Sequence, residues 1–303
     1  MSLASLAQSL ASFLRTLRLP ASQQDRLSPA LGTAACLGTA TFLLPAVYRD
    51  YITFRDYGPG GLPNNLVGWL TVRMLFQPFA REMLSTEEYV KRIDGAEGHG
   101  RGDDGYLTLS PEQLASRAAA GRPLVGPHVV PQRQLTQIPE DGIKQILPPS
   151  GMQRQTWPSA NPSPQKLHAT FQSFGLRNHH LVKFERSNLE KHADGLFLAD
   201  HLPATDLAQQ MHGEVAHLHS GNDFSAHVVL APADCKKVIE AGWGQRHGFS
   251  GTSAMTFLSF GTLPDIPTEY ILIYAPRTEE EIQTVMQIVS ASVQFMTGCE
   301  DVR

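Results

Sequence analysis

Apolar residues recur at three- and four-residue steps along the first nineteen positions. Leu3, Leu6, Leu10, Phe13, Leu14 and Leu17 make one helical stripe. Arg15 and Arg18 lie near its end and no acid precedes Asp25, so the stripe reads as a mitochondrial targeting peptide, an interfacial helix or a surface helix packed on the body. From Ala30 to Val47 the polar face disappears. That stretch carries no charge and just reaches the ~18–20 residues a bilayer-spanning helix needs. It is expected to be a single N-terminal anchor, the alternative being a buried core helix. Farther on, Leu66, Trp69, Leu70, Met74 and Leu75 predict a helix within 64–84 that Pro78 kinks or ends. A short helix restarts at Ser85-Thr86-Glu87-Glu88.

Residues 94–105 (DGAEGHGRGDDG) read as a flexible linker. Ser110 caps another helix with Pro111 in its first turn. Residues 128–137 are extended, and 139–164, rich in proline, form an irregular connection. The pattern then firms up. A helix is predicted over 165–174, strands over 181–185 and 196–199, and a hairpin over 213–219 and 224–231. A helix over 232–241, a strand buried on both faces over 269–275 and a long helix over 278–297 follow. Thr278 with Glu281 forms a capping box for that last helix, and Gly298 stops it.

The fold class is therefore α+β: a mostly antiparallel sheet packed with helices, preceded by an N-terminal apolar helix. The segments are an amphipathic stretch at 1–29, an anchor at 30–48, membrane-proximal helices at 49–93, a linker at 94–105 and a domain at 106–303 with its core at 184–298.

The hairpin concentrates the chemistry. In Gly213-Glu214-Val215-Ala216-His217-Leu218-His219, strict alternation puts Val215, His217 and His219 on one face and Glu214 on the other, away from His217. A two-residue turn would pair His217 with Ala226. A three-residue turn, Gly221-Asn222-Asp223, pairs His217 with His227 and gathers three imidazoles, with Asp223 in the left-handed position; this register is expected. Such a trio suits a metal such as Zn, Fe or Cu, or metal-free general-base work near neutral pH, and the metal-free use is favoured. The three imidazoles are expected to open onto one cavity within reach of a guanidinium. Gly242-Trp243-Gly244-Gln245-Arg246-His247, past a helix end, is read as a loop reaching over the site. Tyr274-Ala275-Pro276-Arg277 leads from a strand into a helix N-terminus, where an anion can sit.

A net charge of −4 excludes an overall basic field for nucleic acid. Cys36, Cys235 and Cys299 make no C-x-x-C pair, so no cysteine zinc site and no disulfide framework is expected. The glycine patterns of nucleotide-binding loops are absent.

The same stretches resemble the fungal luciferase family. The matching residues are Arg49-Asp50-Tyr51-Ile52-Thr53-Phe54, His128 with Gln132-Arg133-Gln134-Leu135-Thr136-Gln137, Glu214 through His219 with His227, Gly242 through His247, and Tyr274 through Arg277, in the family's order. The resemblance implies a membrane-anchored enzyme, placed on the endoplasmic reticulum, that uses O2 as co-substrate and no organic cofactor. Luminous members of the family oxidise 3-hydroxyhispidin, a hydroxylated styrylpyrone, with loss of CO2. It implies His217, His219, His227, Arg246 and His247 as catalytic residues, a histidine deprotonating the enol and Arg246 or Arg277 holding the enolate or a peroxide. It implies His128, Arg133, Glu214, Trp243, Tyr274 and Arg277 as substrate-binding residues. Here 249–267 looks longer than the family's connection, 94–105 looks inserted, and 139–180 matches poorly. The competing functions are a hydrolase or decarboxylase of fungal secondary metabolism on the same site, and a non-enzymatic membrane-anchored binding module.

Overall fold

The computed structural model describes residues 41, 44–52, 54–55, 62–80, 82–94, 104–114, 164–189, 193–220, 224–258, 260–261, 265–276 and 278–303. Described residues before Phe54 and those from Phe54 onward fall into separate units. In the first unit residues 44–52 are helical. The stripe at 1–19, most of the linker at 94–105 and most of the Ala30–Val47 anchor lie outside the described residues. Among the described residues no helix is long and apolar enough to cross a membrane.

In the second unit six strands form one sheet. They are β1 (Val182–Arg186), β2 (Asp194–Leu198), β3 (Glu214–Leu218), β4 (Ala226–Val229), β5 (Gly244–Arg246) and β6 (Tyr270–Ile273), in the order β1-β2-β3-β4-β6-β5. Every neighbouring pair is antiparallel, as the α+β reading expected.

The helices are α1 (Leu66–Leu70), α2 (Glu87–Asp94), α3 (Pro164–Arg177), α4 (Asp206–Gln210), α5 (Pro232–Glu240), α6 (Ala254–Leu258) and α7 (Glu279–Thr297). Asn65 caps α1 by accepting from the Val67 and Gly68 N–H groups. That helix widens into a π turn over Thr71–Phe76 and ends in a 3-10 turn over Gln77–Phe79, where Pro78 cannot donate to the ladder. Thr278 caps α7 through the Glu281 N–H at 3.3 Å, and Gly298 closes it in the left-handed conformation at φ 68°. Strand β5 and helices α4 and α6 were not expected from the pattern. All three are shorter than two helical turns or a full strand, too short for a period to show.

Register sorts the side chains. Phe184, Leu196, Ala216, Val228, Ile271 and Arg246 stand opposite one another on one face. Helices α3, α5 and α7 cover that face with the main apolar core: Phe171 of α3 meets Phe184 at 6.1 Å between ring centres. The opposite, front face carries Gly195, His217, His227, Leu272 and Gln245 in one row. The polar chemistry is thus on the side of the sheet away from the long helices.

Candidate active site

The hairpin adopts the three-residue register. His217 pairs with His227 and Leu218 with Ala226, and the His219 N–H donates to Ser225 at 2.9 Å. Asp223 lies outside the described residues; Phe224, next to it, is left-handed at φ 59°. Ring centres are 5.2 Å apart for His217–His219, 5.2 Å for His217–His227 and 5.1 Å for His219–His227, a nearly equilateral triangle. Each ring offers one nitrogen, and these nitrogens lie within 4.8 Å of one another. His247 joins the cluster 5.7 Å from His227. Tyr270 stacks on His227 at 4.5 Å with 9° between planes.

Glu214 is on the same face as His217, not the far face that strict alternation predicts. Leu196 pairs with Ala216 but Phe197 pairs with Glu214, so Val215 is an extra residue in the β2–β3 ladder. A bulge of this kind resets the alternation by one position. It brings a Glu214 carboxylate oxygen to 2.6 Å from His217 Nδ1. The same oxygen accepts the Ser187 hydroxyl at 2.6 Å, and the other accepts the Asn188 N–H at 3.0 Å. Opposite His217 stands Gly195, where a Cβ would come 3.4 Å from the carboxylate and 3.2 Å from the His217 Cβ. The bulge has a counterpart behind the sheet: Ser292 of α7 lies 3.1 Å from the Val215 carbonyl and 2.7 Å from that of Val229.

Burial pushes the Glu214 carboxyl up, but the His217 ring and the hydrogen bonds from His217, Ser187 and Asn188 outweigh it and leave it below its ordinary value. The ionised carboxylate is acceptor-only, so His217 donates through Nδ1 and turns its Nε2 lone pair outward. His219 is oriented in the same manner by the Ser225 hydroxyl, 2.8 Å from Nδ1. Burial, and then the neighbouring imidazoles, hold His227 well below the ordinary histidine range and His247 down at about 3. His217 Nε2 and His227 Nδ1 are buried without a hydrogen-bond partner. Leaving such an atom unsatisfied costs about 1–3 kcal/mol, so both are poised for something that accepts a lone pair.

Among the described residues the trio is closed off from solvent and Arg246 does not stand beside it. His217, His219 and His227 are 1%, 0% and 3% exposed. A cavity of about 540 Å3 lies elsewhere, lined by residues that include Arg92, Asp206, Gln210, Thr252, Asp265 and Glu269 but none of the histidines. Arg246 falls in strand β5 rather than a loop, and its register with Ile271 turns it to the helix-covered face. There it donates to the Glu82 carbonyl and sits 6.0 Å from the centre of the Tyr89 ring. Trp243 is buried, and its indole N–H donates to the Gln113 carbonyl at 2.8 Å, pinning the helical turn at 111–114. Tyr274 is buried and donates to Gln245 at 2.6 Å. His128, Arg133 and Arg277 lie outside the described residues. Ser187, Asn188, Ser225 and Tyr270 complete the site and carried no motif; Ser187 and Asn188 follow a predicted strand, and Ser225 and Tyr270 lie within predicted strands.

The segment that carries this carboxylate-backed histidine cluster is of the luciferase-domain class: the family model of that description matches residues 212–292, from the start of β3 into α7. A luciferase of Armillaria gallica is 30% identical over 276 residues, 88% of this chain and 88% of that protein. One of Armillaria ostoyae is 29% identical over 279 residues, covering 88% and 89%. One of Neonothopanus nambi is 28% identical over 274 residues, covering 88% and 87%. No solved structure matches the chain. The chain belongs to the fungal luciferase family.

Proposed function

We propose that the protein is an O2-dependent enzyme that oxidises a small hydroxylated pyrone or polyphenol with loss of CO2, its reacting centre being the front-face histidine cluster. The observation that carries this reading is the Glu214–His217–His227 arrangement, which falls inside the segment matched as a luciferase domain. The substrate class follows the family. An acidic enol hydroxyl gives up its proton at the cluster, where His217 Nε2 presents a lone pair backed by the Glu214 carboxylate. The resulting enolate is electron-rich carbon, the partner O2 requires. Arg246 is turned to the other face, so holding the enolate is left to Arg277, as the family resemblance implies. Because the trio is buried, substrate reaches it only by displacing residues that cover it.

The test uses the full chain with 3-hydroxyhispidin and a panel of hydroxypyrones, following O2 uptake, CO2 release and light separately. Uptake of O2 with release of CO2, lost in a folded His217→Ala variant, is expected. Turnover without O2 consumption would replace this reading by a non-oxidative decarboxylase or hydrolase on the same residues.

A further inference from the structure

We infer that His217, His219 and His227 bind one divalent ion of the first transition row. This deepens the proposed function and rests on it only for taking the trio as the reacting centre.

The geometry has three parts. The rings supply three nitrogens within 4.8 Å of one another. Four-coordinate binding with metal–nitrogen bonds of ~2.1 Å places ligand atoms about 3.4 Å apart, within reach of small rotations of the rings. Two of the rings have their remote nitrogen held by a neighbour, His217 by Glu214 and His219 by Ser225, at 2.6 Å and 2.8 Å. A ligating histidine is oriented in this way, its other nitrogen on a carboxylate or other acceptor that fixes the ring and raises its basicity. Finally, His217 Nε2 and His227 Nδ1 are fully buried with no hydrogen-bond partner. A lone pair buried beside two others attracts a cation.

Donor chemistry narrows the ion. Neutral imidazoles suit zinc, iron, copper, cobalt or nickel, whereas calcium and magnesium require oxygen ligands. No cysteine is in the cluster, which removes the thiolate signature of structural zinc. Three protein ligands leave a coordination position open, as catalytic sites do. With the His217 Nε2 lone pair taken up as a ligand, the ion replaces it in acting on the enol: its Lewis acidity would lower the pKa of a bound enol hydroxyl so that the proton is lost to solvent.

The experiment is metal analysis of the full chain, purified without a histidine tag or chelator, followed by chelator stripping and titration with Co(II). About one metal equivalent per chain is expected, with visible d–d absorption and a higher melting temperature on reloading. Single His217→Ala and His227→Ala variants should hold less than a tenth of the metal, while an exposed-site control, His212→Ala, keeps it. Glu214→Gln should weaken Co(II) binding by about 10–100-fold. If the variants fail to fold, the wild-type titration decides alone. Absence of bound metal together with no Co(II) spectrum and no melting shift overturns the inference, as does equal metal in the histidine variants. A metal-free protein that still consumes O2 sinks the metal site and leaves the proposed function standing; a metal-loaded protein without O2 uptake does the reverse.

Discussion

Glu214 and His217 face each other at 2.6 Å because Val215 stands outside the β2–β3 ladder between them. The carboxylate is buried and spends its acceptor capacity on His217, Ser187 and Asn188. Glu214→Gln keeps the volume but loses the negative charge and one acceptor oxygen. It should cost about 1–3 kcal/mol of stability and lower turnover more than it changes KM. Urea unfolding beside O2-uptake kinetics checks this; an unchanged kcat would separate the carboxylate from the chemistry.

Ser292 is the next link. Its hydroxyl lies within hydrogen-bond reach of the Val215 and Val229 carbonyls and accepts the Val229 N–H at 3.2 Å. Ser292→Ala leaves buried backbone groups unpaired, a loss of about 1–3 kcal/mol. Because one of those groups belongs to the bulge, the substitution should also lower activity by loosening Glu214, although Ser292 is on the helix side. A melting curve together with kinetics tests both halves; a stability loss with wild-type kcat would show that the bulge holds without it.

Arg246 gives the converse case. It lies on the back face against Glu82 and Tyr89. Arg246→Met retains much of the apolar contact of the side chain and should lower the melting temperature while leaving kcat within a few-fold of wild type. A selective loss of kcat of a hundred-fold or more, with stability intact, would return Arg246 to the reacting centre.

Asp234 supplies a pH test away from the site. Its carboxylate accepts the Tyr106 and Leu107 N–H groups at 2.8 and 3.0 Å. Burial raises its pKa above the ordinary value, against those hydrogen bonds and Lys237, which lower it. The folded state therefore holds this proton more tightly than the unfolded chain does. Stability from this group is full below the unfolded value of ~3.9 and declines as pH rises through the folded value. The stability of wild type relative to Asp234→Asn should therefore fall as pH rises above about 4. A difference that stays flat or grows with pH would show that the hydrogen bonds dominate.

Much of this was legible along the chain, for reasons that differ by element. The His217–His227 pairing could be read because a hairpin's loop length sets its register, and Gly221-Asn222-Asp223 offered the residues for a three-residue loop. Helix α7 could be read from its caps at Thr278 and Gly298. Glu214 could not be placed, because period-two reading assumes an unbroken strand and nothing in Glu214-Val215-Ala216 marks a bulge. Arg246 was misplaced because β5 is three residues long and starts at Gly244, where a Cβ would meet the Leu272 carbonyl at 2.3 Å. That glycine reads as a loop signal from the sequence, yet in the fold it permits two strands to approach closely. The burial of the trio was not readable from the hairpin alone: the Tyr270 and His247 rings that pack on His227 come from other parts of the chain.

Ser292 makes the long helix more than a support. One hydroxyl on α7 lies within hydrogen-bond reach of the Val215 carbonyl and accepts the Val229 N–H, joining two strands whose opposite surfaces carry the imidazoles. A sub-ångström slide of that helix, from a repacked core or a bound partner, would be transmitted through the sheet to the spacing of the ring nitrogens. Mutations scattered along the rear of the domain should therefore shift the spacing of the histidine cluster at the front.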